Sequence, residues 1–133
     1  MVEIVTGVYE VTQPLVYAVD ELRADVRPLR VRVEELVLAL RSELLTQGVT
    51  DPLLTAALDL CYAGEETSLT VPFPIEIEDA AVCAADPLPL DRQALREAVA
   101  AFHHAYAAQH GAALPDQKVQ VISLRIRAQS APA

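Results

Sequence analysis

The sequence predicts an α+β fold: a small antiparallel sheet, built from a hairpin plus a C-terminal strand, packed against two or three helices. Three observations carry this. Leu53–Phe73 alternates at period two, with Leu54, Ala56, Leu58, Leu60 and Tyr62 on one parity and Thr55, Ala57, Asp59 and Cys61 on the other. After Gly64-Glu65-Glu66 a second run places Thr67, Leu69, Val71 and Phe73 opposite Ser68 and Thr70. Alternation on both sides of a turn marks a hairpin with one buried face. Two other segments show helical spacing, and the chain closes on a β-branched run.

Taken in order, Val2–Val11 is β-rich, with Val2, Ile4, Val5, Val8, Tyr9 and Val11 apolar on both parities. Such a strand wants cover on both faces, from its own domain or from another subunit. Pro14 suits the first turn of a helix, and Leu15, Val19, Leu22 and Val26 continue it to about Arg27, where Pro28 interrupts. Residues 1–27 are therefore expected to act as a partner-docking segment. Leu29, Val33, Leu36, Val37, Leu40 and Leu44 form one apolar helical stripe, ended by Gly48.

Pro72 and Pro74 close the hairpin. Ile75–Leu90 is acidic, alanine-rich and punctuated by proline, which reads as a surface connection. Asp91 reads as an N-cap for a helix from Arg92 to His110. Leu95, Val99, Phe102 and Tyr106 are its spine, flanked by alanines that permit close approach, and Gly111 is its stop. Asp116–Ala128 is the last strand. Val119 and Val121 share one parity, while Ile122, Leu124 and Ile126 share the other. Either a β-bulge or cover on both faces explains the switch. The last residues read as a frayed tail.

At 133 residues the chain suits a single domain, 1–133. Its net charge of −9 argues against nucleic acid and anionic membranes as partners. No apolar run reaches the roughly 18 residues needed to span a bilayer. The start of the chain lacks the basic region of a signal peptide. Cys61 and Cys83 are too few for a disulfide framework. A reducing cytoplasm is the expected home.

No phosphate-binding loop can be written from four widely spaced glycines, so the chain is expected to bind no cofactor by itself. His103 and His110 share a helix face but lie about 10 Å apart along the axis, and His104 points elsewhere. Three histidines on an exposed or interface side are expected, with no intrachain metal site. No nucleophile elbow accompanies any serine. Cys61 reads as a small buried filler. Glu65 and Glu66 at the hairpin tip are the acidic candidates, of interest if the tip enters another subunit's cleft.

Two stretches carry a family resemblance. The hairpin CYAGEETSLTVPF resembles a segment near the C-terminus of the hydantoinase A/5-oxoprolinase family, which reads Asp-x-Arg-Tyr-x-Gly-Gln-x-aromatic-x-Leu-x-Val-Pro. Asp59, Tyr62, Gly64, Leu69, Val71 and Pro72 match it. The later stretch FHHAYAAQHGAALPDQKVQVISLRIRA resembles that family's helix end and following strand, through Phe102, Gly111, Val119, Val121, Leu124 and Arg125. The resemblance covers residues 28–128, less the first of them. Cys61 replaces the pattern's Arg and Glu65 its Gln; Tyr106 stands where the family has His, and His110 where it has Tyr. No catalytic role is carried over.

Members of this family are several times longer, with nucleotide-binding modules before this region. The chain is similar to a split version, as in the ketone carboxylases of acetophenone carboxylase type, where a small beta subunit completes a larger one. The resemblance implies larger hydantoinase A-like and hydantoinase B-like partners in a hetero-oligomer, which bind ATP and Mg or Mn. ATP would activate the ketone as an enol phosphate and bicarbonate as carboxyphosphate, giving a β-keto acid such as benzoylacetate. A cyclic-amide hydrolase subunit and an acidic interaction module without enzymatic partner are the alternatives. Tyr62, Gly64, Glu65, Glu66, His103, His104, His110 and Arg125 are the residues expected at an interface or site edge.

Overall fold

The computed structural model describes residues 2–5, 8–49, 52–75, 88–114 and 116–130. Among the described residues five antiparallel strands form one sheet: β1 (Val2–Val5), β2 (Val8–Ala18), β3 (Pro52–Tyr62), β4 (Leu69–Phe73) and β5 (Val119–Ser130). Three helices complete the α+β fold: α1 (Val19–Ala24), α2 (Arg27–Thr46) and α3 (Leu88–His110). The spatial order is β1-β2-β5-β3-β4, so the C-terminal strand is central. The sheet is larger than the expected hairpin plus one strand because the N-terminal stretch joins it.

The hairpin forms as the alternation predicts. Leu58 pairs with Val71 and Leu60 with Leu69, and Ala56, Leu58, Leu60 and Tyr62 are buried. The α2 stripe is also as read: Leu29, Val33, Leu36, Leu40 and Leu44 enter the core. Pro28 sits in its first turn, where its missing N–H costs nothing. Beyond the helix Gly48 takes φ +83, a left-handed conformation in which a side chain is strained.

The N-terminal half departs from expectation. Val2–Val11 is two strands, with Val2 opposite Val11 and Ile4 opposite Tyr9. Even positions of one arm therefore face odd positions of the other, which explains the apolar residues on both parities. The helix expected from Pro14 starts only at Val19. Leu15, Val19, Leu22 and Val26 are nevertheless all buried. A strand running into a short helix sends the same four side chains inward, so their spacing alone misleads. Between α1 and α2, Asp25 accepts both Nε and Nη2 of Arg27, at 2.8 and 2.9 Å. Hydrogen bonds from the Arg27 side chain and backbone lower its pKa to about 2.

Pro14 is tolerated because the ladder is irregular there. Leu58 to Leu60 on β3 covers the same step as Leu124 to Val121 on β5 and Gln13 to Tyr17 on β2. The three strands use two, three and four residues for it. The expected parity switch in β5 is therefore a β-bulge at Ile122, which bends and twists the sheet. Val119 and Val121 on one side of the bulge, and Leu124, Ile126 and Ala128 on the other, are all buried. Ile122 itself is only half-buried, which corrects its expected place on the Leu124 face.

α3 lies against β3 and β4, and α2 against β5. Ala94 and Ala98 are buried on the spine of α3, beside Leu95, Val99 and Phe102. The helix begins at Leu88, so Asp91 lies in its first turn and does not cap it. Proline is compatible with the first turn, which lets Leu88-Pro89 join the helix. Asp91 is buried 3.4 Å from Nε of Arg30, tying α3 to α2. Most of the expected Ile75–Leu90 connection, and Cys83 with it, lies outside the described residues. Gly111, at φ +87, ends α3 as expected.

Ile126 has no exposed surface and pairs with both β2 and β3. Replacing Ile126 with alanine should cost about 2–5 kcal/mol. Urea denaturation should show a lower midpoint with an unchanged slope.

Candidate functional site

Among the described residues, one hydrogen-bonded polar cluster lies on each face of the sheet. The first lies where the end of β3 meets α3. The period-two pattern that buries Leu58 and Leu60 also turns Tyr62 inward, with no exposed surface. The α3 spine supplies Phe102 and, one turn later, Tyr106. The Tyr62 ring lies 4.8 Å from that of Phe102 and 4.7 Å, edge-on, from that of Tyr106.

The buried Tyr62 hydroxyl is held from two sides. The backbone N–H of Leu114 donates to it at 3.0 Å. His103 Nδ1 lies 2.7 Å away and accepts the hydroxyl proton when the ring is the neutral Nε2–H tautomer. Burial lowers the His103 pKa, and the nearby Arg23 charge lowers it further.

At the hairpin tip, Gly64 adopts φ +86 with open space where a side chain would begin. The backbone conformation, not crowding, demands glycine there. The turn brings Glu65 back to α3, where the Tyr106 hydroxyl donates to both its oxygens, at 3.0 and 3.1 Å. Burial and this carboxylate raise the Tyr106 pKa. His110 stacks on Tyr106 at 4.3 Å from the exposed end of α3. Glu66 and His104 are exposed and take no part in this cluster.

The second cluster occupies the sheet face turned away from the helices. Asp59 lies on the parity opposite Leu58 and Leu60, yet is nearly inaccessible. Its carboxylate accepts from the hydroxyls of Thr70 and Ser123, one on each neighbouring strand. Arg125 Nε donates to both its oxygens at 3.0 Å, and Arg125 Nη1 reaches Glu10 at 2.9 Å. Glu10, then Asp59, raises the Arg125 pKa. The network spans four strands, beside a shallow depression of about 470 Å³ over Ala57, Val71 and Pro72.

Of the expected site residues, the structure brings together Tyr62, Glu65, His103 and His110, with Gly64 shaping the turn. Arg125 belongs to the opposite face. Sequence reading did not place Phe102 and Tyr106 in the first cluster, nor Asp59, Ser123, Thr70 and Glu10 in the second. Asp59 had a usable signal: one acid amid the apolar run Leu58-Asp59-Leu60 demands partners. Cys61 is a free, buried thiol whose pKa is raised by burial and by Glu65. Among the described residues no three His, Cys, Asp or Glu side chains converge as metal ligands. No helix among them is long and apolar enough to cross a membrane.

Replacing Tyr62 with phenylalanine strands the Leu114 N–H and His103 Nδ1, so stability should fall by about 1–3 kcal/mol. The Tyr62 proton favours neutral imidazole, so its loss should raise the His103 midpoint in an NMR titration. In the native protein the folded His103 pKa lies below its unfolded value of about 6.5. Its contribution to stability is therefore full above that pH and is lost as pH falls. Replacing Asp59 with asparagine should cost about 2–3 kcal/mol, since Arg125 is partly open to solvent. Replacing Thr70 with valine should cost about 1 kcal/mol, measured the same way.

No protein-family model matches the sequence, and no curated protein matches it. The fold does match a solved structure, that of acetone carboxylase in a nucleotide-free state, described in connection with the mechanism of ATP-dependent acetone carboxylation. The TM-score is 0.72 at 17% identity. The match covers 94% of this chain and 18% of the acetone carboxylase chain. At that identity the likeness is one of fold, and this chain spans under a fifth of the length of the chain that it resembles.

Proposed function

We propose that this chain is a small, mainly structural component of a multi-subunit, ATP-dependent carboxylase acting on a ketone. The carrying observation is that nearly the whole chain shares its fold with a minor part of an acetone carboxylase chain. A domain with this fold thus exists inside a much longer chain connected with ATP-dependent ketone carboxylation.

The packing of the two resembling stretches supports the same reading. Asp59 and Arg125, matched in separate stretches, are hydrogen-bonded at 3.0 Å. Tyr62 and Phe102, also matched separately, are in ring contact. The two stretches that resemble the hydantoinase A/5-oxoprolinase pattern therefore pack against each other, which supports that reading.

Carboxylating a ketone with bicarbonate needs activation on both sides. Bicarbonate is a poor electrophile and a ketone a poor carbon nucleophile, so ATP is consumed to activate them. This chain's glycines cannot form a phosphate-binding loop. We therefore assign ATP and Mg or Mn to larger hydantoinase A-like and B-like partners, and to this chain the role of completing their fold. An aromatic ketone of acetophenone type is the substrate we put forward, and the cytoplasm the compartment. The N-terminal strands and the hairpin tip are the docking elements.

Tagged full-length chain purified from its source cell should carry a larger ATP-binding subunit. The complex should fix labelled bicarbonate into acetophenone or acetone in an ATP-dependent reaction, and the isolated chain should not. Recovery of no such subunit, or turnover by the chain alone, would overturn the proposal. ATP-driven opening of a cyclic amide in place of bicarbonate fixation would redirect it to a hydrolase.

A further inference from the structure

A polar hollow of about 270 Å³ lies between α1, α3 and the start of β5. Asp20, Arg23, His103, Asp116, Gln117 and Lys118 give it its polar lining, over Val19, Val99 and Val119. Three separate elements thus contribute cationic or donor groups to one small space. Arg23 comes from α1, His103 from α3 and Lys118 from the turn before β5. His103 has its Nδ1 engaged with Tyr62, so in the tautomer that accepts the Tyr62 proton the group left to offer is Nε2–H.

We propose that this hollow is a binding site for a small carboxylate-type oxyanion, held by Arg23, Lys118 and the Nε2–H of His103. The protein already shows that a carboxylate fits between the two cations. Asp20 bridges them, with Oδ1 3.5 Å from Arg23 and Oδ2 3.4 Å from Lys118. Both distances exceed the roughly 2.7–2.9 Å of a tight charge-assisted hydrogen bond. All three side chains are more than half exposed. Asp20 is therefore a loose internal occupant that an incoming carboxylate displaces, gaining His103 as a third donor. Asp116 lines the same hollow and limits the site to monoanions by like-charge repulsion. The Arg23 charge that lowers the His103 pKa shows that the two groups share one field. An anion held between them opposes that effect. The proposal does not depend on the carboxylase reading.

A free acid and an acidic side chain of a partner protein share this chemistry, so the test has two arms. The full-length chain is titrated at pH 7.5 with sodium bicarbonate, and separately with the blocked aspartate N-acetyl-aspartyl amide. The ring signals of His103 are followed by NMR, with sodium chloride at equal ionic strength as control. Saturable His103 shifts with a millimolar dissociation constant are expected in at least one arm, and the tighter arm names the source. The His103 midpoint should rise at saturation. R23Q and K118Q should each weaken binding roughly tenfold. D20N, which removes the internal competitor, should tighten it, whereas E35Q on the exposed face of α2 makes the same charge change and should not. Absence of a saturable shift in both arms overturns the proposal, as does equal tightening by E35Q and D20N. All four substitutions are at exposed or half-buried polar positions, so loss of folding does not obscure the result.

Discussion

β5 is hydrogen-bonded along both its edges, to β2 and to β3, and almost every other feature of the protein is set by its register. A strand in that position has no freedom to slide, because a shift of one residue would exchange its faces. The bulge at Ile122 uses this property locally. It lets Val119 and Val121 face the helices and, past one residue of slack, lets Leu124, Ile126 and Ala128 do the same. On the far face it sets Ser123 beside Asp59 and leaves Arg125 one step further along, within reach of Asp59 and Glu10. The core and the outer polar network therefore have one cause.

How much of this was legible in the amino-acid order depended on the range of the interaction. Leu54–Tyr62 alternates within one strand, and Leu29–Leu44 repeats within one helix, so both announced themselves. Pro14–Ala18 did not, because its strand state comes from pairing with β5 more than a hundred residues away. Helix-like spacing there was an accident of a strand continuing into α1. The choice between a bulge and a doubly covered strand was likewise a question about β3 and β2, not about β5 alone. The site followed the same rule. Tyr62 and His103 could be named from their own surroundings, but their hydrogen bond joins residues 41 apart, and Arg125 is bound to Asp59 across 66.

The residues that differ from the resembled hydantoinase A/5-oxoprolinase pattern have definite places in this fold. Residues 106 and 110 are successive on one face of α3, and their rings touch at 4.3 Å. Exchanging His and Tyr between them keeps an aromatic pair at the same spot and changes which ring meets the hairpin. With tyrosine at 106, the acceptor must come from the tip, and Glu65 supplies a carboxylate where the pattern has an amide. Tyr106 and Glu65, which both differ from the resembled pattern, thus meet in a single hydrogen-bonded contact. Cys61, at the position where the resembled pattern has Arg, is buried. A thiol can be enclosed there at small cost, whereas an arginine would need a paired anion.

The proposed scaffold role would account for how these polar groups are used. Tyr62, Asp59 and Tyr106 are buried, and each is occupied by a partner within the domain. Groups satisfied in this way fix geometry: they tie the hairpin to α3 on one face and four strands together on the other. Catalytic groups must instead leave a donor or acceptor free for substrate. Glu66 and His104 are exposed, at the rim and not in the interior. A domain that spends its interior polar groups on rigidity and keeps only its rim available is suited to being gripped by another chain. Its contribution to chemistry would then be to hold a neighbouring subunit's residues in place, in the way a supporting shell holds the groups that touch substrate.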